Sequence, residues 1–424
     1  MYKNIKFSLV CLLALLTTGV TGQKNVNSPF ARYGLGNLEQ QGPFRMRAMG
    51  GISSGIRDNL SLNFLTPASY SSIDTASFIF DFGIDYGLNQ LKGDGLKHTS
   101  QDMTFSHLMM GFPIMKGWGV TAAILPYANG TYDIGFESEG DGVTGTIYEH
   151  HNGSGGYNRA LLGTGFRPMP FMSVGVNGFF MFGEVTRIND FLFTDDNNHF
   201  NTRKQGSSAL SGLGYEASVQ FMISFQEGRF INAGITYTPA YDLKTSNDDL
   251  IIRYSNIQTT TMGFDTLSHA TLSTTSRMPG SIRAGFSMGQ TDKLTAGADL
   301  VYTRWSKATI PGSYGEFTDA LSLHAGAEYI PDRYSNYSFF DRMEYRMGCR
   351  YGESYTLFGG EQVKEYGITF GTGIPMRRSR SRITLVVDLS TKGKGSGEIP
   401  KESRISVGAS LNLYDYWFIK RQYD

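Results

Sequence analysis

The sequence predicts an all-β protein, a transmembrane antiparallel β-barrel of about fourteen strands with an N-terminal hatch in its lumen. Three observations carry this. Apolar and polar residues alternate with period two in segment after segment. After Gly22 no stretch approaches the roughly 20 apolar residues that a spanning helix needs, which leaves a closed barrel as the way across a bilayer. Residues 23–74 do not alternate, yet they are studded with large apolar side chains.

The alternation is clearest toward the C-terminus. Ile405, Val407, Ala409, Leu411 and Leu413 interleave with Ser406, Gly408, Ser410 and Asn412, and Ile383, Leu385, Val387 and Leu389 with Thr384, Val386, Asp388 and Ser390. Tyr366, Ile368 and Phe370 alternate with Gly367, Thr369 and Gly371 in the same way. In Met343–Tyr351 and Leu321–Tyr329 the second face carries full charges, including Glu328, Glu344, Arg346 and Arg350. A soluble sandwich would turn that face to water; a membrane barrel turns it to the lumen.

Upstream candidates are Phe78–Leu88, Thr104–Ile114, Trp118–Leu125, Thr131–Ile147, Asn158–Phe166, Ser173–Thr186, Tyr215–Phe225, Phe230–Tyr237, Ile282–Met288 and Leu294–Trp305. Thr131–Ile147 reads as one bent strand or two, and Ile251–Met278 as an extracellular hairpin. Short turns such as Gln290-Thr291-Asp292 contrast with the long polar connections Asp190–Ser208, Pro311–Thr318 and Lys392–Lys401, as expected of periplasmic and outer ends. Trp118, Trp305, Trp417 and Phe418 at strand ends fit aromatic girdles.

The export signal supports the membrane reading. Lys3 and Lys6 precede the apolar run Phe7–Leu16, and the small stretch Val20-Thr21-Gly22 follows, so residues 1–22 read as a cleavable signal peptide. Val10 before Cys11 is a poor match to a lipoprotein box. With the signal removed only Cys349 remains, so no intrachain disulfide is available. Lys+Arg 38 against Asp+Glu 38 gives no net charge, which argues against a nucleic-acid partner. The division is therefore 1–22 signal peptide, 23–74 hatch and 75–424 barrel.

Within the hatch, Phe30, Leu35, Phe44, Met46, Met49, Ile52, Leu60, Leu62, Phe64 and Leu65 call for burial, which a plug inside the barrel supplies. The inward charges Asp81, Asp85, Glu216, Arg283, Asp299, Glu328, Glu344, Arg346 and Arg350 carry both signs and are expected to pair with one another or with that plug.

Ser28-Pro29-Phe30-Ala31-Arg32-Tyr33-Gly34-Leu35-Gly36, Arg47-Ala48-Met49-Gly50-Gly51, Asn59 to Asn63 and Thr66-Pro67-Ala68-Ser69-Tyr70 follow in that order before the first strand. Together they resemble the N-terminal hatch of FadL/TodX-type outer-membrane transport proteins, in the branch found in Bacteroidota. The resemblance implies passive uptake of hydrophobic small molecules, such as long-chain fatty acids, with lateral release into the membrane at a kinked strand. An Asn-Pro-Ala triplet in that family corresponds to Thr66, Pro67 and Ala68 here, so the Asn is replaced; Asn63 offers a nearby amide. These four are the gating candidates. Pro126, following Ala122-Ala123-Ile124-Leu125, is the candidate for the kink and lateral opening, because a proline in a sheet removes a ladder hydrogen bond.

Catalysis has weak support. His107 beside Ser106, and His324 near Ser322 and Glu328, are the available fragments, and same-face strand neighbours lie about 7 Å apart, beyond hydrogen-bond reach. His150-His151 reads as a solvated loop tip rather than a metal site, and Gly153-Ser154-Gly155-Gly156 as a turn. No enzyme activity, cofactor or metal is expected. Arg377, Arg378, Arg380 and Arg382 form a basic cluster suited to lipopolysaccharide phosphates on the outer rim or to phospholipid head groups on the inner one. The alternative function is a hatch-plugged barrel that docks a secretion-associated or surface protein.

Overall fold

The computed structural model describes residues 28–93, 96–139, 146–193, 200–254, 264–377, 379–395 and 399–416. Residues 1–22, expected as a signal peptide, and Arg378, Trp417 and Phe418 lie outside them.

Alternation becomes orientation. Leu385, Val387 and Leu389 are each about 40% exposed on the outer face, while Thr384, Val386 and Asp388 between them are buried inside. The wall strands are β1 (Ser77–Gly93), β2 (Leu96–Met115), β3 (Trp118–Asn129, continued by Tyr132–Glu139), β4 (Thr146–Met169), β5 (Met172–Phe193) and β6 (Asn201–Ser224). Then come β7 (Arg229–Thr238, continued by Tyr241–Tyr254), β8 (Phe264–Met278, continued by Ser281–Gln290), β9 (Leu294–Thr303) and β10 (Ala320–Tyr329). The last four are β11 (Glu344–Phe358), β12 (Glu361–Pro375), β13 (Arg382–Lys392) and β14 (Lys401–Tyr416). The three interruptions fall at Gly130-Thr131, Pro239-Ala240 and Pro279-Gly280, residues poor at sustaining a ladder.

The fourteen strands follow one another as antiparallel neighbours. The sheet closes where β14 meets β1, from Tyr416↔Ser77 to Lys401↔Lys92. Closure satisfies the backbone along this seam and leaves no edge there to template aggregation. Connections at the Ser77/Tyr416 end are short, as at Lys116-Gly117 and 170–171, with 330–343 the long exception. The opposite end carries 304–319 and 393–400, so the former end faces the periplasm.

Several strands run beyond their apolar alternation. Asp190–Ser208, expected as a loop, holds the end of β5 and the start of β6. Gly153–Gly156, expected as a turn, lies inside β4, where Gly155 takes φ +97°. Ile251–Met278 extends wall strands β7 and β8 into a paired hairpin. The reason is common to all three: above the bilayer neither face meets lipid, so the backbone ladder persists without an apolar pattern.

Residues 28–74 thread the lumen from mouth to floor. The Ser28 hydroxyl donates to Glu402 Oε2 at 2.6 Å, and Phe30 and Tyr33 pack on Phe358 near the mouth. A helical turn α1 (Phe44–Arg47) starts after Gly42-Pro43, and Gly50 and Gly51, at φ +71° and +96°, end it. A 3-10 turn, Pro67–Ser72, lies on the floor. Nine of the ten apolar hatch residues named from the sequence are buried, Leu65 being half-buried. The largest buried cluster joins Leu60, Leu62, Phe64 and Tyr70 of the hatch to Met109, Leu125, Leu161 and Phe179 of the wall. The core of this protein is thus the hatch–wall interface.

Candidate functional site

The hatch backbone lies directly on wall glycines. A β-carbon built at Gly348 would stand 2.1 Å from Gly50 N, at Gly326 2.2 Å from Met49 O, and at Gly234 2.1 Å from Ser54 O. At the floor Gly119 meets Tyr70 O at 2.2 Å and Gly165 meets Pro67 O at 2.3 Å. These lumen-facing glycines on β3, β4, β7, β10 and β11 form a collar into which the hatch main chain fits without side chains between.

Ion pairs fasten the hatch above that collar. Arg45 forks onto Glu328, with Nε to Oε2 at 3.0 Å and Nη2 to Oε1 at 2.8 Å, and also pairs with Asp58. Glu328 receives Arg346 Nε at 2.6 Å, and Arg382 reaches Glu344 at 3.0 Å and Asp58 at 3.5 Å. Burial alone would raise the Asp58 carboxyl, but Arg45, with Arg382 and Arg333, holds it down at about 2. Asp299 accepts both the backbone N–H and the hydroxyl of Ser53 and of Ser54, at 2.8–3.0 Å. Arg47 pairs with Asp85 at 3.0 Å, and His324 Nδ1 meets Gly50 O at 2.6 Å. Most of the inward charges thus pair with one another or with the hatch, whereas Glu216 has no ion pair among the described residues and accepts from Asn177 and Thr238 instead.

The gating candidates come together on the floor. Asn63 Nδ2 and Thr66 Oγ1 both donate to Ser53 O, at 2.9 and 3.3 Å. Pro67 opens the floor turn, and Ala68 N donates to Ser218 Oγ at 2.7 Å. Sequence reasoning missed Asn177, which donates to Phe64 O and Glu216 and accepts from Tyr70 OH. The alternation of Ser173–Thr186, with Val174, Val176, Phe180 and Phe182 outward, was the signal that places Asn177 inside; the short hatch strand Asn37–Leu38, also missed, has no periodic pattern to mark it.

Pro126 marks a discontinuity in the wall. Among the described residues the β2–β3 ladder runs from Met115↔Trp118 only to Leu108↔Ile124, and the β3–β4 register shifts at Pro126/Ala128. Beyond Ile124 the hatch supplies the pairing, with Asn37↔Asn129 and Leu38↔Ala128. Glu39 N donates to Tyr127 O at 2.9 Å and Gln41 Nε2 to Pro126 O at 3.2 Å. Hatch residues 37–41 thus line the wall where β2 and β3 part.

Behind this stopper lies a chamber of about 280 Å³. Phe64, Leu65, Tyr127, Tyr241 and Trp305 form its apolar side, and Arg159, Glu216 and Arg283 its polar one. The chamber is amphipathic rather than continuously apolar. Arg159 lies over the rings of Tyr127 and Phe179, at 4.7 and 4.2 Å. Trp305, expected in a girdle, is buried here. Among the described residues no cluster of His, Cys, Asp or Glu is arranged to hold a metal ion.

Ser106, His107 and Asp81 meet after all. His107 Nδ1 is 3.1 Å from Ser106 Oγ and Nε2 is 3.1 Å from Asp81 Oδ1. A bulge opposite Gly83/Ile84 leaves Ser106 as the extra residue and breaks the alternation that would separate the pair. The cavity beside Ser106 measures about 10 Å³, at the lower limit for one water, and Phe44 packs edge-on against His107. The array lies against the hatch, with Arg47 Nη1 donating to Ser106 Oγ at 3.5 Å. His150 and His151 lie on β4, not at a loop tip; His151 is buried and meets Asn189 at 2.6 Å.

The arginine cluster divides. Arg382 points inward, buried among Asp58 and Glu344, and is a hatch anchor, not a rim contact. Arg377 and Arg380 lie on the turn between β12 and β13 at the periplasmic end, away from the leaflet that carries lipopolysaccharide.

A closed fourteen-stranded wall with an apolar outer face, filled by residues 28–74, has the architecture of a plugged transmembrane β-barrel. The sequence model of the BamG family matches residues 1–424, and the chain belongs to that family. No curated protein matches it in sequence. Among solved structures, a Pseudomonas aeruginosa FadL homologue superposes with TM-score 0.60 at 11% identity, covering 90% of this chain and 100% of its own. The Ralstonia pickettii toluene transporter TbuX gives 0.57 at 15%, covering 89% and 99%. The Pseudomonas putida toluene transporter TodX gives 0.56 at 16%, covering 91% and 100%. At these identities the likeness is one of fold.

Proposed function

We propose that the protein is a passive outer-membrane channel for compact hydrophobic molecules, which enter the chamber between hatch and wall and leave sideways between β2 and β3. The observation that carries this reading is the ladder ending at Leu108↔Ile124, with hatch residues 37–41 standing between the chamber and the parted strands. Size selects the class of cargo. An apolar cavity of about 150 Å³ accommodates benzene, whereas drug-sized ligands occupy roughly 300–1,000 Å³. A chamber of about 280 Å³ with a guanidinium pole therefore favours a small aromatic or a short amphiphile over a long-chain fatty acid. Two of the structures it resembles are toluene transporters, which agrees with that size.

Locking the stopper tests the route. In a Cys349→Ser background, Leu38→Cys with Ala128→Cys places two thiols at directly paired strand positions. Oxidation is expected to abolish uptake of labelled toluene by intact cells, and reductant to restore it. Uptake indifferent to the lock would rule out this exit.

A second reading, a docking barrel, has its own observation. The one long periplasmic connection, 330–343, exposes Tyr334, Tyr337 and Phe340, with Tyr337 fully solvated. Aromatic side chains held outside both lipid and core are characteristic of protein interfaces. Deleting residues 334–338 is expected to release a stoichiometric partner in detergent co-purification if this reading holds, and to leave uptake intact.

A further inference from the structure

A cavity of about 620 Å³ opens on the periplasmic rim where the ends of β12 and β14 meet the turn before β11. Arg333, Arg342, Arg377 and Arg380 line it, against one carboxylate, Asp415, whose Oδ1 already accepts Tyr416 N at 2.8 Å. Two of the arginines are committed. Arg333 pairs with Asp292 and Glu344 at 3.1 and 3.0 Å, and Arg380 with Asp74 at 3.2 Å. The other two are not. Neither Arg342 nor Arg377 has a carboxylate partner among the described residues, and Arg342 Nε is buried without a hydrogen bond. Arg377 is exposed and Arg342 lies 5.7 Å from the Phe339 ring, so two guanidinium groups without a carboxylate partner meet at one cavity, where their forked donors suit an incoming anion.

The neighbours of these arginines set the depth of the site. Phe339, Met376 and Tyr416 are exposed on its outer margin, and Arg380 stacks 5.6 Å from the rings of both Tyr414 and Tyr416. Aromatic side chains at a strand end mark the level of lipid head groups, with hydrocarbon on one side and water on the other. A free anion has no use for that apolar margin, whereas a lipid does: its phosphate meets the arginines while its acyl chains run along the outer wall.

We propose that this rim cavity is a binding site for the phosphodiester head group of an anionic phospholipid of the periplasmic leaflet, held chiefly by Arg342 and Arg377. Arg333 and Arg380 add positive potential while remaining tied to their own carboxylates. Arg380 ties this rim to the hatch through Asp74, and Arg333 to the Asp58 cluster through Glu344, whereas Arg342 and Arg377 have no ion pair with the hatch among the described residues. The site's role is to fix the barrel's depth and tilt in the leaflet.

Native mass spectrometry of the full-length, delipidated protein tests this with phosphatidylglycerol and phosphatidylcholine of matched acyl chains. Phosphatidylglycerol adducts are expected to be retained in clear preference. The double variant Arg342→Gln/Arg377→Gln should lose that preference by roughly 30-fold, from two arginines near a charged surface. Heat-modifiable gel mobility reports that the variant barrel is folded. Equal retention of both lipids, or an unchanged preference in the folded variant, overturns the proposal. Displacement of phosphatidylglycerol by millimolar inorganic phosphate would assign the cavity to free anions instead, and overturns it as well.

Discussion

A methyl group at Gly348 would collide with the backbone nitrogen of Gly50 at 2.1 Å, and neither partner is a side chain able to swing away. Gly348→Val is therefore expected to unseat the hatch without opening the wall, exposing residues 28–74 to limited proteolysis while the barrel keeps its heat-modifiable mobility. Gly178→Ala, whose added carbon meets nothing nearer than 3.9 Å, is the silent control. Charge acts at the same scale. Removing Glu328 takes away the carboxylate that Arg45 and Arg346 share, leaving Arg45 with Asp58 and Arg346 with Glu344, so the loss should fall below the roughly 3–5 kcal/mol of an interior charge left wholly unpaired. Glu328→Ala should lower the thermal unfolding midpoint more than Glu353→Ala, whose carboxylate accepts from the Tyr351 hydroxyl and has no ion pair among the described residues. The sequence identified Glu328 as inward and charged through its alternation. It did not identify Arg45 or Asp58 as the partners, since nothing periodic marks a residue in a coil.

The hatch behaves as an element because its anchors are shared. Asp58 has its carboxyl held at about 2 against an ordinary 3.8, so its contribution is fully present above about pH 4 and is lost as pH falls toward 2. Pepsin, active across that window, should begin cutting the hatch only below about pH 3 in the native protein. In Asp58→Asn the hatch should be cut more readily at every pH, and the acid step should be smaller, the remaining carboxylates Glu328, Asp85 and Asp299 still holding the hatch. Wall elements were legible in a different way. Apolar alternation located the membrane-embedded part of most strands, but β4 begins at Thr146 rather than Asn158, and β6 at Asn201 rather than Tyr215. Lipid imposes the pattern and water does not. Pro126 was recognisable as a ladder breaker; that β2 parts from β3 there, and that Asn37–Leu38 pairs with β3 instead, requires long-range contact.

At the scale of the whole molecule, a wall lined by collar and hatch leaves no wide aqueous path. Planar bilayers holding the native protein are expected to show little steady current. Gly348→Val should conduct, because the same substitution that unseats the hatch unblocks the lumen. A native barrel with large steady conductance would contradict the packing described above.

The sequence by itself pointed to the class of structure: period-two patterning without a helical span, joined to an export signal, favours a closed membrane sheet over a soluble sandwich, inward charges of both signs disfavour a wide aqueous pore, and an apolar, non-alternating N-terminal segment offers the filling. These are one-dimensional properties, fixed by which solvent each face meets. Only the tertiary structure decided the seat of the hatch, the parting of β2 from β3, the size of the chamber and the bulge that brings Ser106 to His107. Each depends on residues tens to hundreds of positions apart approaching within a few ångströms. Such approach is set by closure of the barrel, and no local pattern encodes it.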